Sequence, residues 1–309
     1  MRFGVFVPQG WRMDLVELDD PVEQWEAMTA VARAADAGPW DSVWLFDHFH
    51  TVPEPVRETV FEAWTTTAAL ARDTQRVNIG QMVGCNGYRN PALYAKMAAT
   101  VDVASHGRLY AGIGAGWSEH EWKAYGYPWT GLKDRMGSFT ESVELIHRLW
   151  TEENVVFNGK YHSVDQPFVE PRRKPPLWIG GGGEKVTLRL VAKYGDACNV
   201  GTGRVDIIKH KLAILREHCA EVGRDYDEIT KSTSLNRLPD RGRRRPGRSD
   251  RDRTGSLQPG RVRRYRRRRD ARCTGRDRHD ETGQRAHRAV GRGRDRVRPR
   301  LHPRSRVRP

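Results

Sequence analysis

The sequence predicts an α/β fold over residues 1–236, a TIM-like (β/α)8 barrel lacking its last βα unit, followed by a disordered arginine-rich tail at 237–309. Three observations predict it. Short apolar runs alternate with longer amphipathic stretches from the first residues onward, the pattern of βα units on a parallel sheet. Several of the short runs end in glycines or polar side chains, where such a sheet carries its chemistry. The alternation then stops after Asn236.

Strand-like runs fall at 3–7, 42–46, 77–83, 108–113, 177–179, 196–200 and 228–232. Helical stretches fall between them at 22–37, 58–72, 91–105, 136–151, 185–194 and 205–222. In the third helix Leu93, Met97 and Ala98 recur near helical spacing, and Pro91 suits a first turn, where its missing N–H costs nothing. Residues 152–176 read as an insertion between units, with Asn158-Gly159 as a hairpin signal between Val155-Val156-Phe157 and Tyr161. A closed barrel takes about 250 residues and eight units, so seven units fall one short.

Charge divides the chain at the same place. The formal net charge is +15, but residues 237–309 hold 28 arginines, no lysine and 8 acids, a surplus of 20 that leaves residues 1–236 at −5. The first part is thus ordinary for a soluble cytoplasmic enzyme. The last 73 residues contain only 12 apolar ones, too few to offset the entropy of ordering. A composition of arginine with glycine, proline and aspartate fits GC-rich codons read in a shifted frame near Asn236. Such a tail would attract nucleic acid only through non-specific charge, since Tyr265 is its one aromatic.

The four cysteines form no CxxC pair, which argues against a zinc site or a disulfide framework. The N-terminal apolar run is too short for a signal peptide and is broken by Pro8, and no stretch approaches the ~18 apolar residues of a membrane span.

Four segments carry candidate chemistry. Leu177-Trp178-Ile179 runs through Gly180, Gly181, Gly182 and Gly183 into a helix, so bare backbone N–H groups can approach a phosphate at a positive helix end. No Lys-Ser or Lys-Thr follows, so it is not a Walker loop. Gly112-Ile113-Gly114-Ala115-Gly116-Trp117 closes another strand, with Trp117 where a dinucleotide fingerprint needs its third glycine. In Asp47-His48-Phe49-His50, strand alternation puts His48 and His50 on one side and Asp47 on the other. A metal-dependent hydrolase would need further ligands at other strand ends, and His106, His120, His147 and His162 fall on helices or in the insertion. Finally, Val83, Gly84, Cys85 and Asn86 end the third strand: Asn86 can hydrogen-bond a ring, Gly84 permits an unusual backbone, and Cys85 reads as packing.

Together with Arg89-Asn90-Pro91-Ala92, Lys96-Met97-Ala98-Ala99-Thr100, Gly107-Arg108-Leu109, Tyr125-Gly126, Arg148-Leu149-Trp150-Thr151 and Thr187-Leu188-Arg189, these segments resemble the luciferase-like monooxygenase family, in particular its branch dependent on the deazaflavin coenzyme F420. The resemblance spans about residues 1–235. It implies a luciferase-like barrel with the cofactor at the C-terminal strand ends and His48 as the catalytic residue beside the reactive ring. It further implies that Asp47, Val83, Gly84, Asn86, Gly114, Ala115, Gly116 and Asn199 surround the cofactor and that Gly180 to Gly183 hold its phosphate, with Val83 and Gly84 as a bulge behind the ring. The sugar-phosphate dehydrogenases of that branch place a carboxylate where this chain has Ala115 and Gly116, so that substrate is not implied. The expected activity is hydride transfer between F420 and a small organic substrate, in a possible homodimer without membrane contact. Two alternatives stand beside it: an FMN-dependent monooxygenase, and an inactive truncated product with a basic tail.

Overall fold

The computed structural model describes residues 1–201 and 203–235. Its strands are β1 (Gly4–Phe6), β2 (Ser42–Leu45), β3 (Asn78–Gln81), β4 (Gly84–Cys85), β5 (Leu109–Gly114), β6 (Val156–Asn158), β7 (Ser163–Asp165), β8 (Leu177–Gly180), β9 (Ala197–Asn199) and β10 (Thr230–Ser232). Its helices are α1 (Pro21–Ala37), α2 (Ala63–Asp73), α3 (Pro91–Ala104), α4 (Glu119–Ala124), α5 (Leu132–Thr151), α6 (Thr187–Tyr194) and α7 (Val205–Val222). The main sheet runs β1-β2-β3-β5-β8-β9-β10 with every neighbour parallel, and β4 lies beside β5. All the strands therefore point their C-terminal ends to one rim. The expectations of a disordered tail and an absent eighth unit lie outside the described residues.

Sheet and helices share one core. Val43 and Leu45 of β2 pack outward with Met28 of α1 and Leu70 of α2, whereas Trp44 turns inward to Tyr110, Trp178 and Ala197. Inside the curve of the sheet the Trp44 ring centroid lies 4.8 Å from Trp178 and 5.6 Å from Tyr110. Aromatic side chains at the period of two thus fill the interior.

Helix starts follow local chemistry. Asp20 caps α1 and Asn90 caps α3, each ahead of a proline that fits the first turn. The second helix begins at Ala63 rather than at 58. Residues before it are held against the N-terminal loop, where the Gln9 side chain donates to the Phe61 carbonyl at 2.6 Å, and Glu62 then caps the Thr65 N–H at 2.6 Å. Helix α4 was not anticipated, because Glu119–Ala124 is short and buries only Glu121 and Trp122.

Two further expectations are corrected. The third strand is divided at the cis peptide Met82-Val83 into β3 and β4, which pairs Gly84 with Ile113 and Cys85 with Gly114. The hairpin turn spans residues 159–162 instead of a two-residue Asn-Gly turn, since Asn158 pairs with Ser163. The Glu141 carboxylate on α5 accepts the N–H groups of Lys160, Tyr161 and His162 at 2.8–2.9 Å, which holds the wider loop open.

Candidate functional site

At the C-terminal rim a hollow of about 520 Å³ is lined by Trp11, Phe46, Asp47, His48, Met82, Val83, Gly84, Cys85, Tyr88, Gly114, Gly116, Trp117 and Ser118. It gathers the ends of β2, β3, β4 and β5 with the loop before α4. His48 occupies one wall. Its ring stacks on Trp11 with centroids 4.5 Å apart and planes at 3°, and Trp117 meets it edge-on at 5.2 Å.

Behind His48 lies a group that the sequence did not mark. Glu121 of α4 is buried, with Oε2 2.8 Å from His48 Nδ1 and 2.8 Å from the Tyr88 hydroxyl, which donates to it. Its Oε1 accepts the backbone N–H groups of Phe49 at 3.1 Å and His50 at 2.9 Å. Burial alone would push this carboxyl up. The hydrogen bond and charge of His48, with the other donors, outweigh burial and hold it at about 2.

The same bonds overturn the expected alternation at 47–50. Strand β2 ends at Leu45, and the grip on Phe49 and His50 turns the chain. Asp47 and His48 therefore line one hollow, while His50 Nδ1 approaches His120 Nδ1 at 2.9 Å. Among the described residues no three histidine, cysteine or acidic side chains converge as a metal site.

Asp47 is buried and committed to the protein. Its Oδ2 accepts the Cys85 N–H at 2.7 Å and Arg89 Nη1 at 2.5 Å, and Oδ1 accepts Arg89 Nη2 at 3.0 Å. Arg89 also binds Glu62 at 2.5 Å. This buried pairing fixes β4 against the end of β2. Burial pushes the Cys85 thiol up to about 12, with the Asp47 charge adding to it, so the group is an inert neutral thiol.

The Val83 side chain stands between two strand ends. A Cβ on Gly114 would meet Val83 Cγ2 at 2.6 Å, and one on Gly180 would meet Cγ1 at 2.7 Å. Glycine at both places lets Val83 reach the hollow, and it brings the start of the tetraglycine segment to the rim that holds His48. Gly181 has φ +124°, a conformation suited to glycine, and its N–H donates to the Asn199 carbonyl at 2.9 Å. Gly182 and Gly183 follow, and Glu184 is paired with Lys211 of α7 at 2.5 Å.

Gly180 to Gly183 do not line this hollow, and three further expected residues fall elsewhere. Ala115 packs against the main core. Asn86 lines a separate hollow of about 1030 Å³ with Tyr127, Arg135 and His162, and its amide lies 3.4 Å from the Ser138 hydroxyl. Asn199 lines a third hollow of about 1260 Å³ along β1 and β10, and donates to Ser232 at 3.1 Å and Ser234 at 3.3 Å. Trp11, Tyr88 and Glu121 carry no sequence signal of their own, Arg89 stands only within the motif Arg89-Asn90-Pro91-Ala92, and Glu121 lies 73 residues from its partner His48. Only a helical pairing of charges near 119–123 marked that stretch, as Glu119 and Lys123 form an i,i+4 pair.

Among the described residues no helix is long and apolar enough to cross a membrane. Similar proteins share this architecture. An F420-dependent glucose-6-phosphate dehydrogenase of Intrasporangium calvum is 31% identical over 223 residues, covering 70% of this chain and 66% of the relative. One of Segniliparus rotundus is 34% identical over 206 residues, covering 64% and 60%. The chain thus spans between 60% and 66% of the length of these relatives. Among solved structures, an F420-dependent secondary alcohol dehydrogenase in complex with an F420-acetone adduct is 25% identical, with TM-score 0.63 over 75% of this chain and 68% of that one. A monooxygenase of Streptomyces bottropensis, at 22% identity, shares the fold with TM-score 0.65 over 76% of this chain and 71% of its own. Residues 1–290 match the family described as luciferase-like monooxygenase, and the chain belongs to that family.

Proposed function

We propose that the chain is an oxidoreductase in which coenzyme F420 exchanges a hydride with a small organic substrate. The observation that carries this reading is the single hollow joining His48 to Val83, Gly84, Gly114 and Gly116, with Gly180 against the flank of Val83. Its lining includes no lysine or arginine, and three of its residues are glycines, so a flat apolar ring system fits it. The backbone of Gly182 and Gly183, leading into α6, fits a phosphate arm. The F420-dependent relatives support the choice of coenzyme.

When bound, the coenzyme would supply the ring carbon that gives or accepts hydride. The chain's own residues do the rest. His48 holds its ring against Trp11 and would take up or return the accompanying proton at Nε2. Trp11, buried against His48, would restrict water on that side, and Val83 would support the rear face of the ring. A soluble cytoplasmic homodimer accords with this reading, as does the charge of −5 on residues 1–236.

Titrating the purified protein with F420 and, separately, with FMN tests it. Absorbance and coenzyme fluorescence are expected to report saturable binding of F420. Saturable binding of FMN without affinity for F420 would instead make the protein an FMN-dependent monooxygenase, and the first reading would fail.

A further inference from the structure

We infer that Glu121 is the positioning residue of His48: its buried carboxylate fixes the ring proton on Nδ1 and turns a bare Nε2 toward the hollow. The inference rests on the proposed role of His48 in proton transfer.

An ionised carboxylate can only accept hydrogen bonds, so a contact of 2.8 Å from Oε2 to Nδ1 requires the hydrogen to sit on Nδ1. The same logic makes the Tyr88 hydroxyl a donor at 2.8 Å. With the two backbone N–H groups of Phe49 and His50, the carboxylate accepts four bonds, about its full capacity. Glu121 is 2% exposed, so an unpaired charge there would be costly, and the network holds it in one geometry.

The ring cannot exchange its two nitrogens freely. A half-turn about the Cβ–Cγ bond keeps the ring plane, and with it the stack on Trp11, but it would carry Nδ1 away from Oε2 and set a ring carbon against the carboxylate. Nε2, on the opposite edge of the imidazole, has no protein partner among the described residues, and His48 lines the hollow. In this state Nε2 is a base. Once it has taken a proton, the ring still donates from Nδ1 to the Glu121 carboxylate.

The bland alternative is that Glu121 only ties the 49–50 turn to α4. A tautomer measurement separates the two. Long-range nitrogen–carbon-bound-hydrogen NMR of the ¹⁵N-labelled full chain, without coenzyme, is expected to show His48 as the Nδ1–H tautomer. In Glu121→Gln the single amide oxygen is expected to stay with the two backbone N–H groups, leaving the NH₂ to face Nδ1. The proton then moves to Nε2, and the tautomer ratio changes by at least about tenfold, the scale of one hydrogen bond. Tyr88→Phe, which leaves the carboxylate in place, is expected to keep Nδ1–H.

A wild-type spectrum with the proton on Nε2 overturns the inference without any variant, which covers the case in which Glu121→Gln fails to fold. An unchanged Nδ1–H signal in folded Glu121→Gln overturns it as well. Failure of wild type to bind F420 would sink the proposed function instead, and would leave the tautomer result standing.

Discussion

Gly112 sits where a side chain has no room. A Cβ there would lie 1.8 Å from the Gln81 carbonyl oxygen, a backbone atom fixed in β3, whereas one at Gly131 meets nothing within 4 Å. Gly112→Ala is therefore expected to destabilise the fold by about 2–3 kcal/mol or more, and Gly131→Ala to stay within about 1 kcal/mol of wild type. Denaturant melts of the two variants check this, and equal stabilities would contradict the packing account. At this scale the sequence was readable where chemistry is local. His48 and the glycines at 114, 116 and 180 announce themselves because they follow strand-like runs directly. Glu121 and Trp11 do not, because their value lies in contacts with His48 across 73 and 37 residues of chain, as the sequence numbers show. Asp47, expected beside the cofactor, lines the hollow but has its carboxylate bound by Arg89, a partner 42 residues away.

The elements were legible to the extent that periodicity alone decides them. The strands were found within two residues of their ends, since parallel buried strands are continuous apolar runs. Local chemistry that interrupts a period was missed: the break at Met82-Val83, the six-residue α4, and the late start of α2 behind Glu62. The β6–β7 hairpin belongs with these, because its width is set from outside by Glu141. That carboxyl is held below its ordinary range, since its three backbone donors outweigh the opposing effect of burial. Glu141→Ala is expected to speed amide hydrogen exchange at 156–165 by about tenfold or more, in line with losing charge-assisted hydrogen bonds, while exchange in β5 and β8 stays unchanged. Unaltered exchange in the hairpin would show that the turn holds its own shape.

Across the molecule, charge and topology set separate behaviours. The surplus of 20 positive charges lies in residues 237–309, and the remainder is acidic. The full chain is expected to bind duplex DNA with an affinity that falls at least about tenfold between roughly 50 and 200 mM salt. Residues 1–236 alone are expected to show none, and salt-dependent binding by that portion, in an anisotropy titration, would refute the assignment of the attraction to the tail. Parallel strands, meanwhile, send every residue of the His48 hollow to one rim and leave the other rim to bracing. There Arg108 donates to the carbonyls of Ala71 and Val77 at 2.7 Å and Thr74 at 2.9 Å, beside the exposed Gln75. A linker coupled through Gln75→Cys would moor the protein to a bead or electrode by its inert end, with its mouth turned outward to the surrounding liquid.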